Sequence, residues 1–460
     1  MKTATSPVDT VKNQTVTHRQ FLLLALPLIL GALSTPLLGA VDTAVVGHLP
    51  DPVYIGGVAV GTLIFNTLYW LLGFLRVSTS GFTAQAHGAN DKAELLMTFL
   101  RPLGIAVLCG MLFIVLQSPV KWVAMWLINP GQAVEAQALR YFEIRIWGAP
   151  FALMNYVILG WLIGIARVRL ALFLQVFMNV FNIVLDLLFV LVLGFGVAGV
   201  AAASLIAEIT AVGLGLVIIY LSKELQGGKW DKGQILATAP LLKMLKMNRD
   251  LFIRTVCLLA VFGIFTAKGA TMGDVTLAAN AILFQLHLLL AYVLDGIANA
   301  SSILVGRSVG AGDQPLYIRT IRFSALWAFT ASVLLGAFLF INKGWVIALF
   351  TSIPEVQLAA GQFAEWVVLY PLVSFWGLQL NGIFAGATEA GPLRDSLVVS
   401  LGVFLIAIWL FLPLWGNHGL WFSFTLFSLS RSLVLWAYLP RLNRMFAPQN
   451  VAAEHNRSSA

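Results

Sequence analysis

Three polar side chains in otherwise apolar stretches are candidates for proton chemistry inside a membrane. Asp42 lies in LLGAVDTAVVGHL, residues 37–49, which has the composition of a membrane-spanning helix. A charged side chain at the bilayer centre costs about 2.5–3.5 kcal/mol on insertion scales, so a residue kept there indicates a function. Asn182 and Asp186 lie in MNVFNIVLDLLFV, and their i, i+4 spacing places both on one face of a helix.

These residues would form one site if the helices that carry them pack together. Ser204, in the next apolar stretch, would then join Asp42, Asn182 and Asp186 in a polar cluster. Two carboxylates in such a site are not readily ionised together, so the pair would take up and release a proton near neutral pH. The alternative is a static hydrogen-bonded cluster with no role in a transport cycle.

For the other carboxylates in the apolar stretches, the sequence gives less indication of a function. Asp295 lies in YVLDGIANAS without a basic neighbour in sequence, and Arg254 of another stretch is its candidate partner. Pairing with a neighbouring arginine explains Glu143, and reach to the membrane interface explains Glu365. Glu208 lies deeper, but a single carboxylate there indicates little about function.

Composition shows which elements must position these residues. The chain has 460 residues, of which 59% are hydrophobic and 10% are charged, whereas soluble domains carry about 25% charge. This composition predicts a polytopic membrane protein. Spans of about 20 apolar residues are predicted twelve times, at 20–48, 53–80, 95–117, 137–165, 170–193, 196–221, 249–271, 276–305, 317–341, 356–387, 394–414 and 418–439.

The placement of Lys and Arg predicts the orientation. If the N-terminus is cytoplasmic, most of the 28 basic residues fall on the cytoplasmic side, and the opposite side holds Lys121, Lys268 and Lys343. Both termini are therefore expected in the cytoplasm. The net charge of +8 is then a topology signal, and no nucleic-acid partner is expected.

The two halves of the chain repeat each other at a nearly constant offset. QAHGAND at 85–91 is matched by RSVGAGD 222 residues later, and Pro150 by Pro371. GVAG at 196–199 is matched by GNHG at 416–419. Each half holds an even number of spans, so the repeats have the same orientation in the membrane.

The predicted fold is an all-α membrane protein with twelve transmembrane helices in two pseudo-symmetric six-helix bundles. We expect a cytoplasmic N-terminal tail at 1–18, a first lobe at 19–221 and a cytoplasmic linker at 222–248. A second lobe follows at 249–440, and a C-terminal tail at 441–460. Two bundles facing each other across a cavity are typical of a transporter.

The segments ALPLIL, VDTAVVGHL, QAHGAND, FNIVLDLLFV and GVAGVAAAS resemble the multidrug and toxic compound extrusion (MATE) transporters, most of all the subgroup named for DNA-damage-inducible protein F. The resemblance covers about residues 19–440. It implies two six-helix lobes with the coupling site in the first lobe, where the family's residues match Asp42, Asn182, Asp186, Ser204 and, at a neighbouring position, Asn155. It also implies a helix-bending role for Pro27.

The resemblance implies a multidrug antiporter of the bacterial inner membrane that exports organic cations and amphipathic drugs in exchange for protons. Acids that some Na⁺-driven members carry in the second lobe have no clean match, which favours H⁺ over Na⁺. Apart from the coupling ion we expect no cofactor and no metal, and we expect a monomer surrounded by membrane lipids. The alternatives are a lipid-linked oligosaccharide flippase of the same superfamily and an intramembrane enzyme.

Overall fold

The computed structural model describes residues 16–47, 51–222, 224 and 232–446. The side chains at 35–37, 40, 42, 43, 46 and 232 are outside this description, although their backbone lies in helices. Most of the predicted N-terminal tail, most of the C-terminal tail and most of the first part of the linker therefore lie outside the described residues.

All secondary-structure elements of the described residues are helices. The first half contains α1 (His18–Val46), α2 (Pro52–Leu71), α3 (Phe74–Gly88), α4 (Lys92–Val115), α5 (Gln117–Ile128), α6 (Gln132–Arg145), α7 (Ala149–Gly164), α8 (Val168–Asp186) and α9 (Gly196–Tyr220). After the short α10 (Lys232–Ile235), the second half contains α11 (Thr238–Ala270), α12 (Asp274–Ala311), α13 (Gln314–Ala348), α14 (Pro354–Gly386), α15 (Ala390–Trp415) and α16 (Asn417–Asn443).

Eleven helical segments of the described residues are long and apolar enough to cross a membrane. Three of them join consecutive helices, namely α2 with α3, α6 with α7, and α10 with α11. The 29-residue α1 adds the twelfth, since a span needs about 20 residues. The predicted multi-pass all-α fold is confirmed.

The helices pack as two lobes, and each lobe has its own apolar core. In the first lobe, α8 packs on α9 and on α1, while α7 packs on α3, α4 and α9. In the second lobe, α14 packs on α12, α13 and α16, and α11 packs on α15. Aromatic side chains fill the second core, among them Phe265, Phe404, Trp421 and Phe424.

The internal repeat extends to the backbone conformation of the loops. Positive φ angles occur in matched pairs 222 residues apart, at Asn90 and Gly312, and at Ala166 and Thr388. The loops that contain Asn90 and Gly312 each end in an aspartate that caps the next helix. Asp91 and Asp313 both accept a backbone N–H at 2.9 Å. The two halves therefore share loop geometry as well as sequence.

The lobes meet where these repeated loops lie. We call the membrane side of loops 89–91, 165–167, 312–313 and 387–389 the basic side, because Lys and Arg flank these loops. There the backbones of α3 and α12 touch through glycines. A Cβ placed on Gly88 would lie 2.8 Å from the Cα of Arg307, and one on Gly310 would lie 2.8 Å from the carbonyl carbon of Gln85.

Polar contacts support this junction. The side-chain amide of Gln85 donates to the carbonyl of Gly386 at 3.1 Å and to the hydroxyl of Thr388 at 3.2 Å. The guanidinium of Arg307 donates to the carbonyl of Ile165 at 3.1 Å. The matched motifs 85–91 and 307–313 thus hold the lobes together on the basic side.

Several elements differ from the prediction. An additional helix, α5, lies between the third and fourth spans and exposes Trp122 and Trp126. The fourth span contains a 3-10 turn at Ile146–Gly148, followed by Pro150 at the start of α7, whereas Pro371 lies within the continuous α14. Helix α11 begins at Thr238 rather than at 249, because the basic amphipathic segment continues into the span.

Candidate functional site

A row of polar side chains follows one face of α8. Gln175, Asn179, Asn182 and Asp186 are three or four residues apart, so they lie on the same side of the helix. Gln175 donates to Asn179 at 3.2 Å, and Asn179 donates to the Ser34 hydroxyl of α1 at 3.1 Å. This row therefore ties α8 to α1, the helix that carries Asp42.

The predicted contact between the fifth and sixth spans is present. Asn182 is 2% exposed and donates to the Ser204 hydroxyl of α9 at 3.3 Å. Asp186 is fully buried at the end of α8, directly before a π-helical turn at Leu187–Val192. Such turns are frequently found at functional sites. Helix α1 packs against α8 and α9, but the side chain of Asp42 lies outside the described residues.

Asn155 lies beside this row without a hydrogen bond to it. Its amide donates to the backbone carbonyl of Glu208 at 3.2 Å, and its nitrogen lies 3.8 Å from the sulfur of Met178. Since residue 208 is one helical turn beyond Ser204, Asn155 fixes α7 against the part of α9 that adjoins the site.

Pro27 lies in the first half of α1, where it removes the backbone N–H that would bond to the carbonyl of Leu23. Close to Pro27, α1 packs tightly against α12. A Cβ on Gly296 would lie only 2.8 Å from the Cα of Ile29. A bend near Pro27 would therefore move the contact between the first lobe and the segment of α12 that carries Asp295.

A buried ion pair in the first lobe was not predicted from the sequence. Arg145 and Glu208 form two hydrogen bonds of 2.6 and 2.5 Å, and both residues are nearly inaccessible. The guanidinium also lies over the rings of Phe65 and Tyr69. Glycine at position 148 makes room, since a Cβ there would lie 2.6 Å from Arg145 Nη1. The sequence assigned no partner to Glu208, and the structure shows that Arg145 is its partner.

Removing the arginine of this pair should destabilise the protein. Arg145→Gln leaves Glu208 buried with an uncompensated charge, which costs about 3–5 kcal/mol. We expect a clear decrease in melting temperature in detergent, while Arg140→Gln at an exposed position leaves it unchanged. The double variant Arg145→Gln with Glu208→Gln should recover most of the loss, and a double variant as unstable as the single one would contradict the assignment.

The predicted explanation of Glu143 needs correction, whereas Glu365, which was predicted to reach the membrane interface, is exposed and has a partner. Glu143 pairs with Lys121 at 3.1 Å and not with a neighbouring arginine of its own helix. Glu365 pairs with Lys343 near the end of α13. Both ion pairs are exposed and explain these carboxylates without a role in coupling.

In the second lobe, Asp295 accepts a hydrogen bond from Asn299 at 3.0 Å and, among the described residues, forms no ion pair with its predicted partner Arg254. Sequence reasoning missed Arg431, which also lies in this part of the lobe. Arg254 interacts electrostatically with Asp295 and with Arg431 of α16. Arg431 interacts with Asp295 and with Tyr370. Arg431 lies in the apolar sequence LFSLSRSLVLW. A charged residue within a predicted span was the sequence feature that could have identified it. Among the described residues, no group of three His, Cys, Asp or Glu side chains is placed to hold a metal ion.

Comparison with known proteins explains the two-lobe arrangement. The MatE family model matches residues 27–188 and again residues 252–412, one match in each half. The chain belongs to the MatE family. DNA damage-inducible protein F of Escherichia coli (strain K12) is 39% identical to this MATE protein, over 90% of each chain.

A second relative and a solved structure of the same fold extend the comparison. A probable multidrug resistance protein NorM of Rhizobium meliloti (strain 1021) is 25% identical, over 95% of this chain and 96% of that protein. A solved outward-facing multidrug resistance MATE transporter of the MOP superfamily has the same fold, with a TM-score of 0.84 at 18% identity, covering 97% and 99% of the two chains. MATE proteins are transporters, so the intramembrane-enzyme alternative is excluded.

Proposed function

We propose that this MATE protein is a proton-coupled antiporter of the bacterial inner membrane that exports organic cations and amphipathic drugs. The observation that carries the proposal is the buried polar site of the first lobe, where Asp186 and the bonded pair Asn182–Ser204 lie beside α1. A buried carboxylate at this depth is expected to change charge during function.

The proposed cycle uses the connection of α1 to both lobes. Protonation of Asp42 changes its hydrogen bonds and bends α1 near Pro27, which narrows the first lobe around the polar site and displaces the drug outward. H⁺ is proposed over Na⁺ because the charged cluster of the second lobe has two arginines and one carboxylate, which does not suit a cation. The flippase alternative is not favoured, since relatives carry names of multidrug resistance and toxin extrusion.

Proteoliposomes test the proposal directly. Ethidium, a fluorescent organic cation, should be transported when a pH gradient alone is imposed, and removal of Na⁺ should make no difference. Drug addition should in turn produce a proton flux. Transport that requires a Na⁺ gradient would refute proton coupling, and lipid scrambling without drug transport would support the flippase.

Asn182 is proposed to tune proton binding, and its replacement should change the pH profile. Its amide bonds Ser204, and its Oδ1 is buried without a hydrogen-bond partner among the described residues. Asn182→Ala should move the pH optimum of ethidium transport by about one unit, the equivalent of one hydrogen bond to an ionised group, with some activity retained. Asn342→Ala, at a half-buried position of α13, is the control. An unchanged pH profile for Asn182→Ala would show that the residue is not involved in coupling.

The charge distribution predicts the orientation of the chain in the membrane. Reporters fused after Leu225 or Arg444 should be cytoplasmic, while reporters near Gly131 or Gly344 should be external, because Lys and Arg concentrate on the cytoplasmic side. Alkaline phosphatase and green fluorescent protein fusions measure this. An external reporter at 225 would refute the proposed topology.

A further inference from the structure

A pocket on the basic side lies between the two lobes, beside the first turns of α1. It is formed by α1, by the loop 165–167 with the start of α8, and by the last turns of α12, and its volume is about 510 Å³. Its lining combines apolar side chains with three arginines, Arg167, Arg169 and Arg307. A volume of this size, with an apolar lining and a few polar groups, is typical of sites for small ligands.

The arginines of the pocket carry more positive charge than nearby acids neutralise. Arg167 pairs with Glu224 at 2.6 Å, which cancels one charge. Within the part of the chain that the structure describes, neither Arg169 nor Arg307 forms an ion pair. The Nε atom of Arg307 is buried and has no hydrogen-bond partner among the described residues. His87, which lies close to Arg307, adds no negative charge. Two guanidiniums of one pocket are therefore available for an anion.

The internal repeat indicates that the fold does not require this charge. The matched positions of the other half, 222 residues away, carry no arginine and are Gln85, Glu389 and Gly391. The loop conformation is nevertheless the same, with a φ of 59° at both Ala166 and Thr388. Arginines near the ends of spans also serve as a topology signal. That signal does not require a pocket or a buried guanidinium nitrogen, so the arginines of this pocket need a second explanation.

Exposed apolar side chains lead from the pocket into the membrane. Leu23 of α1 lines the pocket and is 45% exposed. Phe173 of α8 lies one turn beyond the lining residue Leu170 and is 53% exposed. Its ring stacks on Phe177, which in turn stacks on Phe181, with centroids 6.2 and 5.7 Å apart. An acyl chain that lies along α8 would therefore place its headgroup at the pocket.

We infer that this pocket binds the phosphate group of an anionic phospholipid, with Arg169 and Arg307 as its charged contacts and the acyl chains along α1 and α8. Guanidiniums donate paired N–H groups to phosphate oxygens. Basic pockets between helices on the cytoplasmic side of a membrane are suited to anionic headgroups, and the basic side is proposed to be cytoplasmic. The site goes beyond the proposed export of drugs, because its ligand is a membrane lipid and it lies apart from the polar row of α8.

Lipid titrations followed by native mass spectrometry test the inference on the full-length protein in uncharged detergent. Phosphatidylglycerol and phosphatidylcholine with identical acyl chains are compared. Wild type should bind the first phosphatidylglycerol at least about tenfold more tightly, because the choline cation is repelled by the arginines. Arg307→Gln should weaken this binding about tenfold and Arg169→Gln about fivefold. Glutamine occupies the position that matches Arg307 in the other half, so the fold accepts it. Arg322→Gln, at an exposed position of α13 outside the pocket, should change neither affinity.

A variant of opposite effect protects the test from misfolding. Glu224→Gln releases Arg167 from its ion pair, so it should strengthen phosphatidylglycerol binding at least about threefold. Glycerol phosphate carries the phosphate without acyl chains and should not displace the lipid even in large excess. Equal affinity of wild type for the two lipids would overturn the inference, as would displacement by glycerol phosphate or wild-type phosphatidylglycerol binding by Arg307→Gln. Binding is measured without a gradient, so the result does not depend on whether ethidium transport is coupled to H⁺.

Discussion

Asp42→Asn is expected to remove proton-driven efflux almost completely while the protein still inserts and folds. Asparagine keeps the size and hydrogen-bonding capacity of aspartate but stays neutral, so it imitates the protonated state throughout the cycle. Removing a charge from membrane depth does not oppose insertion. Because exchange requires a group that binds and releases a proton, we expect ethidium transport driven by a pH gradient to decrease by about two orders of magnitude.

A matched aspartate provides the control. Asp51 is exposed and caps α2 by accepting the backbone N–H of Val53 at 2.9 Å, a role that asparagine can keep. Asp51→Asn should therefore transport like wild type. Drug binding by Asp42→Asn should persist in calorimetry, which shows that the site is still formed. Near wild-type transport by Asp42→Asn would contradict the mechanism and make Asp295 the next residue to replace.

Much of this architecture was accessible from sequence because apolar length and local spacing determine it. Twelve apolar stretches predicted the spans, and the matched motifs at 85–91 and 307–313 predicted two lobes. The spacing of Asn182 and Asp186 placed both on the buried face of α8, and the contact with Ser204 followed from packing of consecutive helices. The spans and the first-lobe contacts depend on residues within one helix or on neighbouring helices, and the two lobes on a repeated sequence motif.

Contacts between helices distant in sequence were the part that the pattern did not reveal. Arg145 and Glu208 are 63 residues apart, and the sequence around either residue does not indicate that the other is its partner. Arg431 joins Arg254 and Asp295 only because α16, α11 and α12 meet in the second lobe. The additional helix α5 was missed because a short apolar helix between spans resembles a loop with apolar residues.

The matched glycines at the junction of the lobes lead to the second large effect. Gly310→Ala should block closure on the basic side, because the new Cβ would lie 2.8 Å from the carbonyl carbon of Gln85 and would overlap its oxygen. These are backbone atoms, so no side-chain rotation relieves the overlap and α12 must move away from α3. Gly88→Ala has the symmetric effect against the backbone of Arg307.

Transport and a distance measurement together identify this block. We expect Gly310→Ala to lose at least about tenfold in ethidium transport and to increase the distance between spin labels at the exposed positions Lys92 and Gln314, measured by double electron–electron resonance after replacement of Cys109 and Cys257. Gly104→Ala is the control, because a Cβ on Gly104 meets no atom within 4 Å and alanine favours the helix. If Gly310→Ala had wild-type label distances and wild-type transport, close contact of the lobes at the repeated loops would not be needed for transport.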